Sequence, residues 1–467
     1  MKIAMKSNSN PSGFTIVELL VVIVVIGILA VITIVSYIGV AQRAAIASLQ
    51  SDLNNGANQL KMYQVENGNY PTSLDCSATP AANSICLKAS AGDNFSYYSF
   101  NNLSSPQTFG LADSNGSTLY LVTDSTSPSL IVNHSGLLGP LTPAIIASGS
   151  GPYTIAISAD GTSLYTANDN DNDISMYSRN TSTGILTPLG TPTITTGHQP
   201  YGIAISPDGT SLYTSNCANS KIYMYSRNTS TGALAPLAPP TITTGLCSLA
   251  ITVSADGTSV YAVSLPTTIY MYSRNTSTGA LTALATPTIA TAGAPNSIAV
   301  SADGKSVYCT NSTSNNINMY SRNTSTGALA ALATPTIASG TGPNGITISA
   351  DGTSVYAVNF GDNTISMYSR NTSTGALTAL ATPTIASGLG PGSIAISADG
   401  KSLYAANQNS NTISMYSRNT STGALTALDI PTIATGVVPY NVAISADGTS
   451  LYAVNANDNT ISMYSRN

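Results

Sequence analysis

Apolar and polar positions along most of the chain alternate in short bursts that never lengthen into a helical period. One stretch reads Ile394-Ala395-Ile396, then Ala398-Asp399-Gly400, then Leu403-Tyr404-Ala405-Ala406. An Asn- and Ser-rich loop follows, then Ile413-Ser414-Met415-Tyr416, a Thr-Ser-Thr-Gly turn, and Ala424-Leu425-Thr426-Ala427-Leu428. Asp-Gly between apolar runs signals a hairpin, because Gly tolerates φ > 0. Gly and Pro interrupt every run before a period of 3.6 builds up. The pattern therefore predicts four short antiparallel strands per unit.

The unit returns seven times. Its turn aspartates are Asp160, Asp208, Asp256, Asp303, Asp351, Asp399 and Asp447, and its Tyr-Ser-Arg-Asn ends begin at Tyr177, Tyr225, Tyr272, Tyr320, Tyr368, Tyr416 and Tyr464. The period is 47 or 48 residues, which means one supersecondary unit stacked many times. Seven four-stranded units suit a closed ring with only short, protected edges: an all-β seven-bladed propeller. The last unit stops at Asn467 after its third strand, while residues 136–149 match 327–340 without a gap. That segment is a fourth strand with no first three before it. The prediction is an N-terminal outer strand closing the ring, with Leu138 and Leu141 packed beside Tyr452 and Met463.

The string D-G-T-S-L-Y-x-x-N, followed by a strand and T-G-x-L-T, resembles the seven-bladed propellers of the YVTN and lactonase-like superfamily over residues 136–467. The resemblance implies the fold; a shared fold hosts many activities. WD-repeat propellers match less well, since the chain has no Trp.

A different pattern opens the chain. Basic Lys2 and Lys6 precede a polar stretch to Gly13, and an apolar run then extends from Phe14 to Val35. The run is long enough to span a bilayer, over residues 14–38, and the basic leader favours a cytoplasmic N-terminus. A secretory signal peptide fits poorly, because the apolar region is too long and lacks a small-residue cleavage site. Glu18 sits near the start of the run, where a carboxylate is costly and usually functional. The sequence G-F-T-I-V-E-L-L closely resembles the prepilin leader and N-terminal helix of type IV pilins and type II secretion pseudopilins. That resemblance implies a leader over 1–13, cleavage after Gly13 by a prepilin peptidase, and methylation of the new N-terminus at Phe14. It also implies that Glu18 pairs with the amine of a neighbouring subunit, and a buried charge does need such a partner.

Apolar residues continue at three- and four-residue steps through Ala44, Ala45, Ala47, Leu49, Leu53, Leu60 and Met62, so the helix is predicted over 14–66. Asn67, Gly68 and Pro71 stop it. A small antiparallel headpiece over 67–125 follows, with strands at Phe95–Phe100, Thr108–Leu111 and Leu119–Thr123. Together the N-terminal part reads as an α+β pilin-like domain. Residues 126–135 read as a linker, and the propeller occupies 136–467. Cys76 and Cys86 outside the cytoplasm form a loop-closing disulfide.

Composition narrows the chemistry. Charged residues are 7% of the 467, net charge is −5, and seven of the 15 Lys and Arg are the repeat Arg. Such thin charge excludes nucleic acid as a partner. Beyond residue 136 there is no Glu and one His, His198. No Ser-His-Asp spacing, metal cluster or phosphate-binding Gly loop stands out, so the residues themselves predict neither an enzyme nor a cofactor. Asp169, Asp171 and Asp173 begin like a Ca²⁺ loop but lack its Gly and final Glu, and read as a solvated hairpin.

Strand order places the Asp-Gly and Thr-Ser-Thr-Gly turns on one face. The loops of the other face vary between copies, and binding residues collect on such loops. Tyr153, His198, Gln199, Tyr201, Asn296, Asn344, Tyr440 and Asn441 are the ligand candidates there, a mixture of flat apolar area and hydrogen-bonding groups that suits carbohydrate. Cys217 and Cys247 lie on that face at neighbouring blades, where a bridge is open to them, and Cys309 reads as a buried thiol. The repeat Asp and Arg read as exposed ion pairs worth about 0–1 kcal/mol each. The leading function is a surface-filament subunit displaying a propeller for adhesion, with other pilin subunits, the membrane before assembly, and surface glycans or proteins as partners. A secretion pseudopilin and a pilin-anchored lactonase-like hydrolase are the alternatives.

Overall fold

The structure is a computed structural model that describes residues 47–71, 73–74, 76, 83–88, 94–100, 108–115, 118–123, 129–130 and 136–466. It divides into two compact units, residues 1–132 and 133–467. Gly13, Phe14, Glu18, Ala44 and Ala45 lie outside the described residues.

In the first unit residues 47–67 are helical. Leu49, Leu53, Ala57 and Leu60 fall on one face and form a core with Tyr70 and Leu87, flanked by Leu74 and Ile85. Met62 is 64% exposed: two residues beyond Leu60 is about 200° around a helix, so it faces away. Gly68 ends the helix at φ 78°, donating its N–H to the Gln64 carbonyl at 2.8 Å, a left-handed cap that Gly adopts without strain. Cys76 and Cys86 are joined in a disulfide. Strands Asn94–Phe100, Thr108–Asn115, Thr118–Thr123 and Ser129–Leu130 form one sheet in that order. The last, expected in the linker, pairs with Tyr120 and Leu121.

The second unit is a seven-bladed propeller. Blade I runs Pro152–Ile157, Ser163–Asn168, Asp173–Arg179 and Leu186–Thr195. Blades II to VI repeat this order, each a four-stranded sheet. Blade VII takes Pro439–Ile444, Ser450–Asn455 and Thr460–Arg466, and its outermost strand is Leu138–Ala147. That strand pairs antiparallel with Thr460–Arg466, Leu138 opposite Arg466 and Ala147 opposite Thr460. The first strands of the blades lie side by side around the axis, and that of blade VII meets that of blade I.

The reason for each strand's composition is its place in the blade. The second strand is buried at all six positions in every blade, because neighbouring blades cover both faces of it; such strands read as runs of apolar and small residues. Cores lie between blades: Tyr165, Ala167, Ile174 and Met176 of blade I meet Ile203, Leu212, Tyr225 and Leu234 of blade II. Tyr452, Val454, Ile461 and Met463 of blade VII meet Ile155, Leu164, Tyr177 and Leu186 of blade I, with Leu141 and Ile146 packed alongside. The fourth strand is longer than its sequence suggests, ten residues in each blade, such as Leu377–Ala386. It continues through Pro383 by a bulge, Ser366 pairing with Thr384 but Tyr368 with Ala379. A Pro is tolerated there because an outermost strand needs no ladder donor at a bulge.

The repeat Asp and Arg correct an expectation. The pairs are not exposed: the Arg side chains are fully buried in six copies and 10% exposed in Arg466, while the Asp partners are 31–43% exposed. Each Arg reaches into the preceding blade. Arg227 of blade II donates to Asp160 at 3.0 Å and to the Tyr165 hydroxyl at 2.9 Å, and Tyr165 in turn donates to the Gly232 carbonyl at 2.6 Å. The burial comes from the neighbouring blade, which no within-repeat pattern reveals.

Candidate functional site in the channel mouth

Within each blade the first strand places its second residue at the mouth of the central channel, on the face away from the Asp-Gly turns. Going around the ring these residues are Tyr153, Tyr201, Leu249, Asn296, Asn344, Gly392 and Tyr440. They enclose a cavity of about 280 Å³, at the small end for ligand pockets. Beneath them lie buried aliphatic side chains at equivalent positions, Ile155 to Val442.

The ring is two-sided. Tyr440, Tyr153 and Tyr201 come from the adjacent blades VII, I and II and stack as a wall, with ring centroids 4.6 Å apart for Tyr153–Tyr440 and 4.4 Å for Tyr153–Tyr201, tilted by 30° and 33°. Asn296 and Asn344 line the other side, with Asn441 one step along its strand. Gln408 joins them from the loop after the second strand of blade VI, and is 9% exposed. Blade VI carries Gly392 where other blades carry Tyr, Asn or Leu, and a Cβ there would collide with the Gln408 amide. The sequence places the loop Asn407–Asn409 on this face without making Gln408 a ligand candidate, and Gly392 is the signal that singles it out.

Electrostatics concentrate on the tyrosine side. Burial raises the Tyr153 hydroxyl above its ordinary value, helped by Tyr440, Tyr201 and Asp169. Burial also raises Tyr201, followed by Asp169 and Tyr440, so the phenols stay protonated donors. Asp169 is raised by its own burial, and its buried Oδ1 has no hydrogen-bond partner. An unpaired buried carboxylate oxygen is costly.

Other sequence candidates fall elsewhere. His198 and Gln199 are exposed and do not line the cavity; the Gln199 N–H is spent on Asn172 Oδ1 at 3.0 Å. Cys217 and Cys247 are bonded to each other. Asp171 accepts from Ser150 N–H at 2.6 Å and Asp173 from Asn168 Nδ2 at 2.6 Å, and among the described residues no three His, Cys, Asp or Glu side chains cluster as metal ligands. Cys309 is free and buried.

The family described as "Lactonase, 7-bladed beta-propeller" matches residues 140–247, 253–434 and 338–467, and so most of the chain. The chain belongs to the seven-bladed β-propeller lactonase family. This overturns the expectation that it is not an enzyme, which rested on the scarcity of Glu and His beyond residue 136. The family's description points to hydrolysis of a ring ester as a reading to be tested. The prokaryotic N-terminal methylation motif matches residues 8–34, the span holding Gly13, Phe14 and Glu18. It implies processing by a prepilin peptidase and assembly with other pilins.

Solved structures share the fold at low identity. A periplasmic gluconolactonase of Pseudomonas aeruginosa aligns at 19% identity and TM-score 0.54, covering 69% of this chain and 93% of its own. A candidate 6-phosphogluconolactonase of Bacteroides fragilis aligns at 19% and 0.56, covering 78% and 99%. A hydrazine synthase of Kuenenia stuttgartiensis aligns at 18% and 0.53, covering 68% and 96%. The spread of names shows that the fold alone does not name a reaction. No curated protein matches the chain significantly.

Proposed function

We propose that this pilin-like protein is a surface-filament subunit whose lactonase-family propeller captures a small polyhydroxylated ring, a sugar or sugar lactone, in its channel mouth. The observation that carries the reading is the stacked wall of Tyr440, Tyr153 and Tyr201 facing Asn296, Asn344 and Gln408. Aromatic faces bind the C–H face of such a ring, and primary amides both donate to and accept from its hydroxyls. Glu18 serves filament assembly by pairing with a neighbouring N-terminus. On intact cells, labelling with antibody against residues 136–467 along filaments, together with calorimetric binding of a monosaccharide or aldonolactone, supports both halves. Label confined to the envelope sinks the filament half, and heat-free titrations across both ligand classes sink the other.

A second reading, hydrolysis of a bound lactone, is favoured by one further feature, the unpartnered and desolvated Asp169 electrostatically coupled to Tyr153 and Tyr201. A carboxylate with a raised pKa is suited to general-base activation of water. Release of acid from δ-gluconolactone above the spontaneous rate, lost in Asp169→Asn, is the result this reading requires.

A further inference from the structure

On the opposite face, six copies of the turn Asn-Thr-Ser-Thr-Gly stand 47 or 48 residues apart, beginning at Asn180, Asn228, Asn275, Asn323, Asn371 and Asn419. All six Asn are exposed. In blade I, Asn180 Oδ1 accepts the N–H groups of Ser182 and Thr183, both at 3.0 Å. Thr183 Oγ1 accepts from Ile185 N–H at 3.3 Å, and Gly184 supplies the left-handed residue at φ 75°. The other five copies repeat the bonds to the Asn oxygen.

This accounts for Asn, the second Thr and Gly, but not for the rest. The Ser uses only its N–H; its hydroxyl and that of the first Thr make no hydrogen bond in any described copy, nor does the Asn Nδ2. An Asp would cap the turn as well as an Asn, yet all six copies carry Asn with a hydroxyl two residues on. Nearby positions on the same face have drifted: Thr162 corresponds to Lys305 and Lys401, and Ile185 to Ala233. The retained pentapeptide contains what an N-linked glycan acceptor needs, Asn-x-Ser with a free, outward amide nitrogen.

We infer that these six asparagines are N-glycosylated once the propeller has crossed the membrane. In the step, Asn180 Nδ2 attacks the anomeric carbon of a polyprenyl-pyrophosphate-linked oligosaccharide held by a membrane transferase. A C–N bond forms, the C–O bond to pyrophosphate breaks, polyprenyl pyrophosphate leaves, and one amide proton passes to the transferase's base. The glycans cover the face away from the channel mouth and leave the mouth open. The chain carries its own control: Asn311-Ser312-Thr313 also fits the Asn-x-Ser/Thr acceptor pattern, but Asn311 is fully buried with Nδ2 donating to Asn316 and Asn318 Oδ1 at 2.7 and 2.8 Å.

The test is peptide mapping by mass spectrometry of the full chain purified from the cells that make it. Glycan mass is expected on the six turn asparagines and not on Asn311. Ser182→Ala should lose the mass at Asn180 alone, Thr181→Ala should keep it, and Asn180→Asp should lose it while retaining the wild-type melting temperature. Unmodified peptides at all six turns would overturn the inference. So would a mass that survives Ser182→Ala and Asn180→Asp, since it would then sit on a hydroxyl.

Discussion

Arg179 of blade I holds Asp447 of blade VII at 2.9 Å across 268 positions of sequence. The same guanidinium donates to the Tyr452 hydroxyl at 2.7 Å. This is the latch that joins every other pair of neighbouring blades, used once more where the chain's beginning and end meet. Each latch combines a buried cation, a half-exposed carboxylate and a buried phenol that donates onward to a turn carbonyl, Gly184 for Tyr452.

Breaking one latch should cost far more than a surface pair. Arg322→Ala removes the cation beside Asp256, leaving it only Ser254 and Thr258 as donors, and leaves the Tyr261 hydroxyl without its donor. A loss of about 3 kcal/mol is expected, the low end for a broken buried pair because the carboxylate is partly solvated. Arg466→Ala, at a partly exposed latch, should cost less. Denaturant unfolding of the two variants checks the ranking; equal, negligible losses would return these pairs to the surface class.

Acid should open the ring. Burial alone would raise Asp208, but hydrogen bonds from Ser206, from the Thr210 N–H and hydroxyl and from Arg274 outweigh it and hold the carboxyl at about 2. Asp399 is likewise held at about 2 against burial by Ser397, the Lys401 N–H and Arg466. The other five are also lowered. A carboxylate lowered on folding stabilises above its unfolded pKa of about 4 and loses that stability as pH falls through the folded value. The melting temperature should therefore be flat from about pH 7 to 5 and fall steeply between about pH 4 and 2. A profile unchanged down to pH 2 contradicts the assignment.

Tyr201→Ala should weaken binding of a sugar-like ring about tenfold, the value of one stacked aromatic contact, whereas His198→Ala should leave it unchanged. Calorimetry with both variants separates the channel mouth from the outer loops. Equal effects would mean that the ligand sits on the rim.

Deleting residues 136–147 removes the outermost strand of blade VII and exposes the edge of Thr460–Arg466. It also removes the Gly136 carbonyl that accepts from Tyr404 at 2.6 Å. A lower melting temperature and concentration-dependent association are expected, because an unpaired edge recruits strands from other chains. Size-exclusion profiles matching the intact chain at all concentrations would show that the strand is dispensable.

Much of this was legible in the residues. Four strands per unit, seven units and the hairpin at each Asp-Gly follow from local turn chemistry and alternation, which act within a few residues of chain. The prepilin-type motif is likewise local. Met62 departs from the apolar pattern of its helix because three- and four-residue steps place residues on one face only while the helix angle stays in phase. The fourth strands outrun their sequence pattern because a Pro counts as a breaker in sequence, whereas the bulge beside it lets the strand continue.

By itself, then, the sequence determined the repeat, its strands, its turns and the residue types of the latch. Only the tertiary structure decided that Arg179 and five of its equivalents are buried and Arg466 nearly so, that Tyr440, Tyr153 and Tyr201 become one wall, that Gln408 fills the space above Gly392, and that His198 stays outside. Those are consequences of curving seven sheets around one axis. Residues nearly 300 positions apart become neighbours, and whether a loop side chain meets the channel depends on where its blade stands in the ring, which no spacing along the chain records.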